Sequence, residues 1–151
     1  MSSPPATAPI GVVLSRTAKT ASRAFDQALA AAGGSQPVWL ILISLKTARR
    51  ANQREIADAV GIQGATLTHH LNGMESSGLI TRRRDPDNRR VHIVELTEYG
   101  EQLFHRLAKA AIAHDQRMRK GFSDAEIATL GELLRRLAEN VAEDDHAHSA
   151  S

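Results

Sequence analysis

The chain has 151 residues, 42% hydrophobic and 24% charged, enough for one domain whose core needs no metal or disulfide staple. It contains no cysteine, which excludes disulfides, thiolate zinc sites and thiol catalysis. The formal net charge is only +2, so contact with a polyanion must come from how the charge is distributed.

Residues 1–9 are small and Pro-rich and are expected to form a disordered tail. From Ile10 to about Ala32, Val13, Leu14, Ala18, Ala21, Phe25 and Leu29 follow the 3–4 spacing of an amphipathic helix, closed by Gly33-Gly34. Residues 36–49 read as a second helix, with Pro37 in its first turn and a basic end. The run Val38, Leu40, Ile41, Ile43 and Leu45 also suits a buried strand, and periodicity alone does not separate the two. That run is too short to span a bilayer, and the first fifteen residues carry no Lys or Arg, so a cytoplasmic protein without membrane contact is expected.

Punctuation then becomes dense. Asn52 suits the N-cap of a helix over 53–60, with Glu55 completing a capping box and Gly61 ending it. A second short helix over 64–76 places Leu67, Leu71 and Met74 on a core face, with His70 near it, and Gly78 stops it. Residues 79–84 and 91–96 read as two strands around the turn Asp85-Pro86-Asp87-Asn88. Thr97 caps a long helix to about Lys120, and Ser123 with Glu126 forms a second capping box. The last helix carries Ile127, Leu130, Leu134, Leu137 and Val141 on one stripe, and 142–151 are expected to form a second disordered tail.

Helix, Gly turn, helix and a two-stranded ribbon, in that order, make a winged helix-turn-helix. Such a unit sets a short helix in the major groove of DNA and a ribbon tip in an adjacent minor groove. Between Arg82 and Arg90 five Arg face two Asp, an excess of three positive charges in nine residues; a solvated loop is the plain alternative. On the second short helix Gln63, Ala65, Thr66, Thr68, His69 and Asn72 form the surface opposite the core face. Thr66 and Thr68 suit a phosphate or thymine methyl, and His69 suits a guanine acceptor. Arg82 and Arg84 share a strand face and can line phosphates or simply face solvent; of Arg89 and Arg90, read as adjacent strand residues, one must face away. Asp85 is expected to support the wing by forming its turn or orienting an Arg.

The segments Gln53-Arg54-Glu55-Ile56-Ala57, Ala65-Thr66-Leu67-Thr68-His69-His70-Leu71, Glu75-Ser76-Ser77-Gly78-Leu79-Ile80, Arg84-Asp85-Pro86-Asp87-Asn88-Arg89-Arg90 and Leu96-Thr97-Glu98-Tyr99-Gly100 resemble, in order, the MarR family. The resemblance covers about residues 10–141. It implies a mainly α fold with a small β-wing: a single domain over 10–141, with a winged helix at about 36–96 flanked by dimerisation helices at about 10–32 and 97–141. It further implies a homodimer on a pseudo-palindromic double-stranded operator, mostly a repressor, released by a small organic effector. Arg90 matches the family's minor-groove arginine. The family's effector cavity makes Arg16, Trp39 and His105 candidates for its lining. Two positions depart from the pattern: His69 stands where the family usually has Arg, and Asn88 replaces the wing's second acidic residue, so its support of the wing is expected to be a neutral hydrogen bond to the neighbouring Arg instead of an ion pair.

Seven His offer no i,i+4 pair on a helix, so no metal site and no cofactor are expected. No Gly-rich phosphate loop, H-E-x-x-H or G-x-S-x-G is present, so the chain does not read as an enzyme. The competing class is a winged helix that binds a protein partner instead of DNA.

Overall fold

The computed structural model describes residues 7–48 and 50–148, with the backbone alone at residue 50 and at 143–148. Their order is α1 (Ile10–Ala31), α2 (Gln36–Ala48), β1 (Arg50–Asn52), α3 (Gln53–Val60), α4 (Gly64–Ser76), β2 (Ile80–Arg84), β3 (His92–Leu96), α5 (Glu98–Arg119) and α6 (Asp124–His148). The described chain falls into two compact units, one ending at His114 and one beginning at Asp115, the division lying within α5. Among the described residues no single helix is long and apolar enough to cross a membrane.

In the first unit the ambiguous apolar run is helical. Ile41, Leu42 and Leu45 are buried while Leu40 and Ile43 are exposed, the period of a helix and not of a strand. These three leucine and isoleucine side chains meet Leu29 of α1, Ile56 of α3, Leu67 and Leu71 of α4, and Leu103 and Leu107 of α5 in one core.

The local stop signals behave as read. Asn52 Oδ1 accepts from the Glu55 N–H at 2.8 Å, and Gly61 closes α3 at φ 69°. Glu55 reaches the Asn52 side-chain amide instead of its backbone N–H, because Asn52 is also the last residue of β1, paired with Ile93. Past α4 the chain reverses at Gly78 (φ 76°), where the Leu79 N–H donates to the Met74 carbonyl at 2.9 Å.

The sheet has three strands in the order β1-β3-β2, both pairs antiparallel, where the ribbon was expected to have two. Strand β1 sets Arg50, Ala51 and Asn52 opposite Glu95, Val94 and Ile93. Three residues carry no alternation that a local reading detects; their partner lies more than forty positions away, and Ala51 is buried against the core.

In the second unit Ser123 and Glu126 form the expected reciprocal cap, at 2.9 and 3.1 Å. The expected tail over 142–151 is corrected for 142–148, where α6 continues to His148; its last three positions, 149–151, lie outside the described residues. The segment Ala142-Glu143-Asp144-Asp145-His146-Ala147-His148 holds no Gly or Pro to end a helix. The expected N-terminal tail lies outside the described residues for positions 1–6; residues 7–9 precede α1 without regular structure.

Candidate nucleic-acid interface

Helix α4 presents the two faces its spacing requires. Leu67, Leu71 and Met74 are buried; Ala65, Thr66, His69 and Asn72 are exposed, as is Gln63 at the N-cap, whose side chain makes no capping bond. Thr68 is half-buried, and its hydroxyl donates to the Gly64 carbonyl at 2.9 Å, so it offers a methyl and an acceptor outward but no donor. His69 and His70 stand edge to face with ring centroids 5.7 Å apart, His69 exposed and His70 half-buried.

The wing tip is folded by two successive side-chain turns. Asp85 Oδ1 accepts from the Asp87 N–H at 2.9 Å, and Asn88 Oδ1 accepts from the Arg90 N–H at 3.2 Å. Asp85 therefore forms the turn. Asn88 does hold its neighbouring Arg by a neutral hydrogen bond, but through the backbone and not the guanidinium.

The arginines divide into two groups. Arg89 and Arg90 lie in the turn and not in a strand, so the alternation argument that one must face away does not apply; both are exposed. Their guanidinium groups make no ion pair or hydrogen bond among the described residues. The strand arginines are engaged. Arg83 donates to Glu95 Oε1 at 3.0 Å across the outer face. Arg84 donates to the Arg89 carbonyl at 3.4 Å and so braces the tip.

Arg82 departs furthest from expectation. The register puts it opposite buried Val94, on the inner face of the sheet, and its side chain is only 16% exposed. Its Nη2 donates to Asn72 Oδ1 at 2.5 Å and to Glu75 Oε1 at 3.0 Å, while its backbone N–H donates to Glu75 Oε2 at 3.2 Å. The Arg82 hydrogen bond holds the Glu75 carboxyl below its ordinary value of 4.5, with partial burial opposing it. Arg82 is thus a tie between wing and α4, and Glu75 is a site residue that the sequence reading missed. Its signals were present: Glu75 follows Asn72 by three on a helix, one turn along the same side. Only the strand register reveals that Arg82 turns toward them.

Two of the three candidate effector residues share a neighbour: Phe104 meets both Trp39 and His105, the His105 ring standing edge to face with it at 5.5 Å. Arg16 and His105 are exposed on α1 and α5, whereas half-buried Trp39 stacks on Phe104 at 5.5 Å and 20°. A cavity of about 530 Å³ lies between the α1–α2 turn, α4 and α5, lined by Gly34, Ser35, Val38, His69, His70, Met74 and Leu103 among others, and not by those three. No cluster of three potential metal ligands occurs among the described residues.

The sequence model of the MarR family matches residues 35–92, the span from α2 to the start of β3. The uncharacterized HTH-type transcriptional regulator YdgJ of Bacillus subtilis (strain 168) is 30% identical over 112 residues, covering 74% of this chain and 68% of that protein. The chain belongs to the MarR family. Its fold agrees with solved members. The transcriptional repressor CouR, bound to a 23-mer DNA duplex, is 27% identical with a TM-score of 0.77, covering 86% of this chain and 92% of that one. The PcaV transcriptional regulator of Streptomyces coelicolor is 21% identical with a TM-score of 0.82, covering 89% and 98%. The family consists of winged-helix, DNA-binding transcriptional regulators, and the helical fold with its three-stranded wing is theirs.

Proposed function

We propose that this MarR-family regulator is a homodimeric repressor that binds a pseudo-palindromic operator and releases it on binding a small organic effector. The observation that carries the reading is the pairing of an exposed polar stripe on α4 with two exposed arginines at the wing tip, Arg89 and Arg90, whose guanidinium groups have no partner among the described residues. A helix of that kind fits the major groove, and an arginine tip fits the negative potential of a narrow minor groove. CouR, solved on a duplex, supports the DNA contact, and PcaV, solved with its natural ligand, supports the effector.

In this reading Gln63, Ala65, Thr66, His69 and Asn72 face base edges or phosphates, with Thr68 contributing its methyl. Arg89 and Arg90 enter the minor groove; Arg84, Asp85 and Asn88 hold the tip. Residues 10–141 work as one domain in the cytoplasm, without enzymatic activity.

Exposed apolar side chains support dimerisation. Val12, Val13 and Leu14 on α1 are each about two-fifths exposed, and on α6 Leu130 is 47% and Val141 67% exposed. Such surface is costly to leave in water, at about 25 cal/mol per Å². The test is selection of bound duplexes from a random pool, with and without candidate metabolites. Inverted half-sites roughly one helical turn (~10 bp) apart are expected; enrichment of no sequence would refute the reading.

A further inference from the structure

An asparagine that reads adenine uses both halves of its amide, the oxygen for N6–H and the nitrogen for N7. Asn72 is exposed on the polar stripe of α4, but the oxygen of its amide already accepts a hydrogen bond. A guanidinium carries donors only, so the Asn72 atom that meets Arg82 Nη2 at 2.5 Å must be the carbonyl oxygen. That oxygen is drawn toward a residue that Glu75 holds twice, its guanidinium through Oε1 and its backbone N–H through Oε2. The amide nitrogen makes no hydrogen bond among the described residues, and Asn72 is exposed.

We propose that Arg82 is a specificity-determining positioning residue: by holding the carbonyl oxygen of Asn72, it makes Asn72 a donor-only reader that selects guanine over adenine. This rests on α4 being the helix that enters the major groove. Guanine offers two acceptors, O6 and N7, to the amide nitrogen. Adenine offers N7 beside an N6–H that finds no acceptor and loses its water. Arg82 has a second effect on the same surface, since it neutralises Glu75, whose carboxylate would otherwise repel nearby phosphates.

The experiment compares the unaltered protein with Asn72→Ala, Arg82→Gln and Arg82→Lys on operator duplexes varied one base pair at a time. The pair facing Asn72 is the one whose ranking Asn72→Ala levels. In the unaltered protein it is expected to be G·C, with guanine favoured about tenfold over adenine. Arg82→Gln, which can donate or accept and so lets the amide turn over, is expected to erase that preference while other positions keep theirs. Arg82→Lys, still a donor-only cation, retains it and carries the comparison if Arg82→Gln does not fold. An adenine preference at that pair, no pair responding to Asn72→Ala, or an unchanged ranking in a folded Arg82→Gln would overturn the proposal alone. If the unaltered protein selects no sequence, the operator reading falls and takes this proposal with it.

Discussion

The carbonyl oxygen of Leu79 occupies the space that a side chain on Gly100 would need: a Cβ there would lie 2.1 Å from it. The closeness follows from how α5 begins. The Thr97 hydroxyl donates to the Gly78 carbonyl at 2.6 Å and accepts from the Gly100 N–H at 3.0 Å, and the Thr97 N–H donates to Leu79 at 3.1 Å. The turn that ends α4 is thereby bonded to the first turn of α5. Gly100→Ala must displace backbone and is expected to destabilise by about 3 kcal/mol. Gly73, inside α4, has nothing within 4 Å of a built Cβ. There the same change should stabilise by up to ~1 kcal/mol through helix propensity. Urea unfolding of the two variants reads both signs.

At the wing, Arg90→Ala is expected to weaken binding to many duplexes by roughly 1–3 kcal/mol and to make the salt dependence shallower. Arg83→Ala should cost much less, because its guanidinium is occupied by Glu95. Anisotropy titrations at several salt concentrations separate them; the reverse order would mean that the outer face of β2, not the tip, meets DNA.

Acid should release the tie between wing and α4. The Glu75 carboxyl is held below 4.5 chiefly by its hydrogen bond from Arg82, so the charged form is favoured in the folded state. Its stabilisation is present in full above the ordinary glutamate range and is lost as pH falls through the depressed folded value. Melting temperatures of the unaltered protein and Glu75→Gln should differ at neutral pH and converge in acid below 4.5. A gap that stays constant with pH would show that Glu75 stabilises by packing and not by charge.

Much of this arrangement could be read locally, and the part that could not was long-range. Asn52, Gly61, Gly78 and Ser123 act on backbone groups within a few residues, so their signals sit beside their effects. Strand β1 has no such signal, since Arg50–Asn52 becomes a strand only by meeting Ile93–Glu95. Arg82 fails for a related reason. A basic cluster reports charge but not direction, and it is the pairing of Arg82 with Val94 that turns it from solvent toward α4. The longer α6 is a different case, a helix continuing because nothing in residues 142–148 ends it.

The exposed apolar stripe of α6 predicts its own test. Light scattering at micromolar concentration should give twice the mass of the chain, and Leu134→Glu, at a position 39% exposed here, should shift it toward one. A single-chain mass for the unaltered protein would remove the basis for a two-fold operator.

The most direct measurement is the affinity of the unaltered protein for a selected duplex and for its scrambled counterpart across a range of salt. Phosphate contacts release counterions, so log affinity should fall steeply and linearly with log salt. The selected duplex should bind on the order of 10³-fold or more tighter than the scrambled one. An affinity that ignores salt and does not distinguish the two duplexes would contradict the account and point to a winged helix that serves a protein partner.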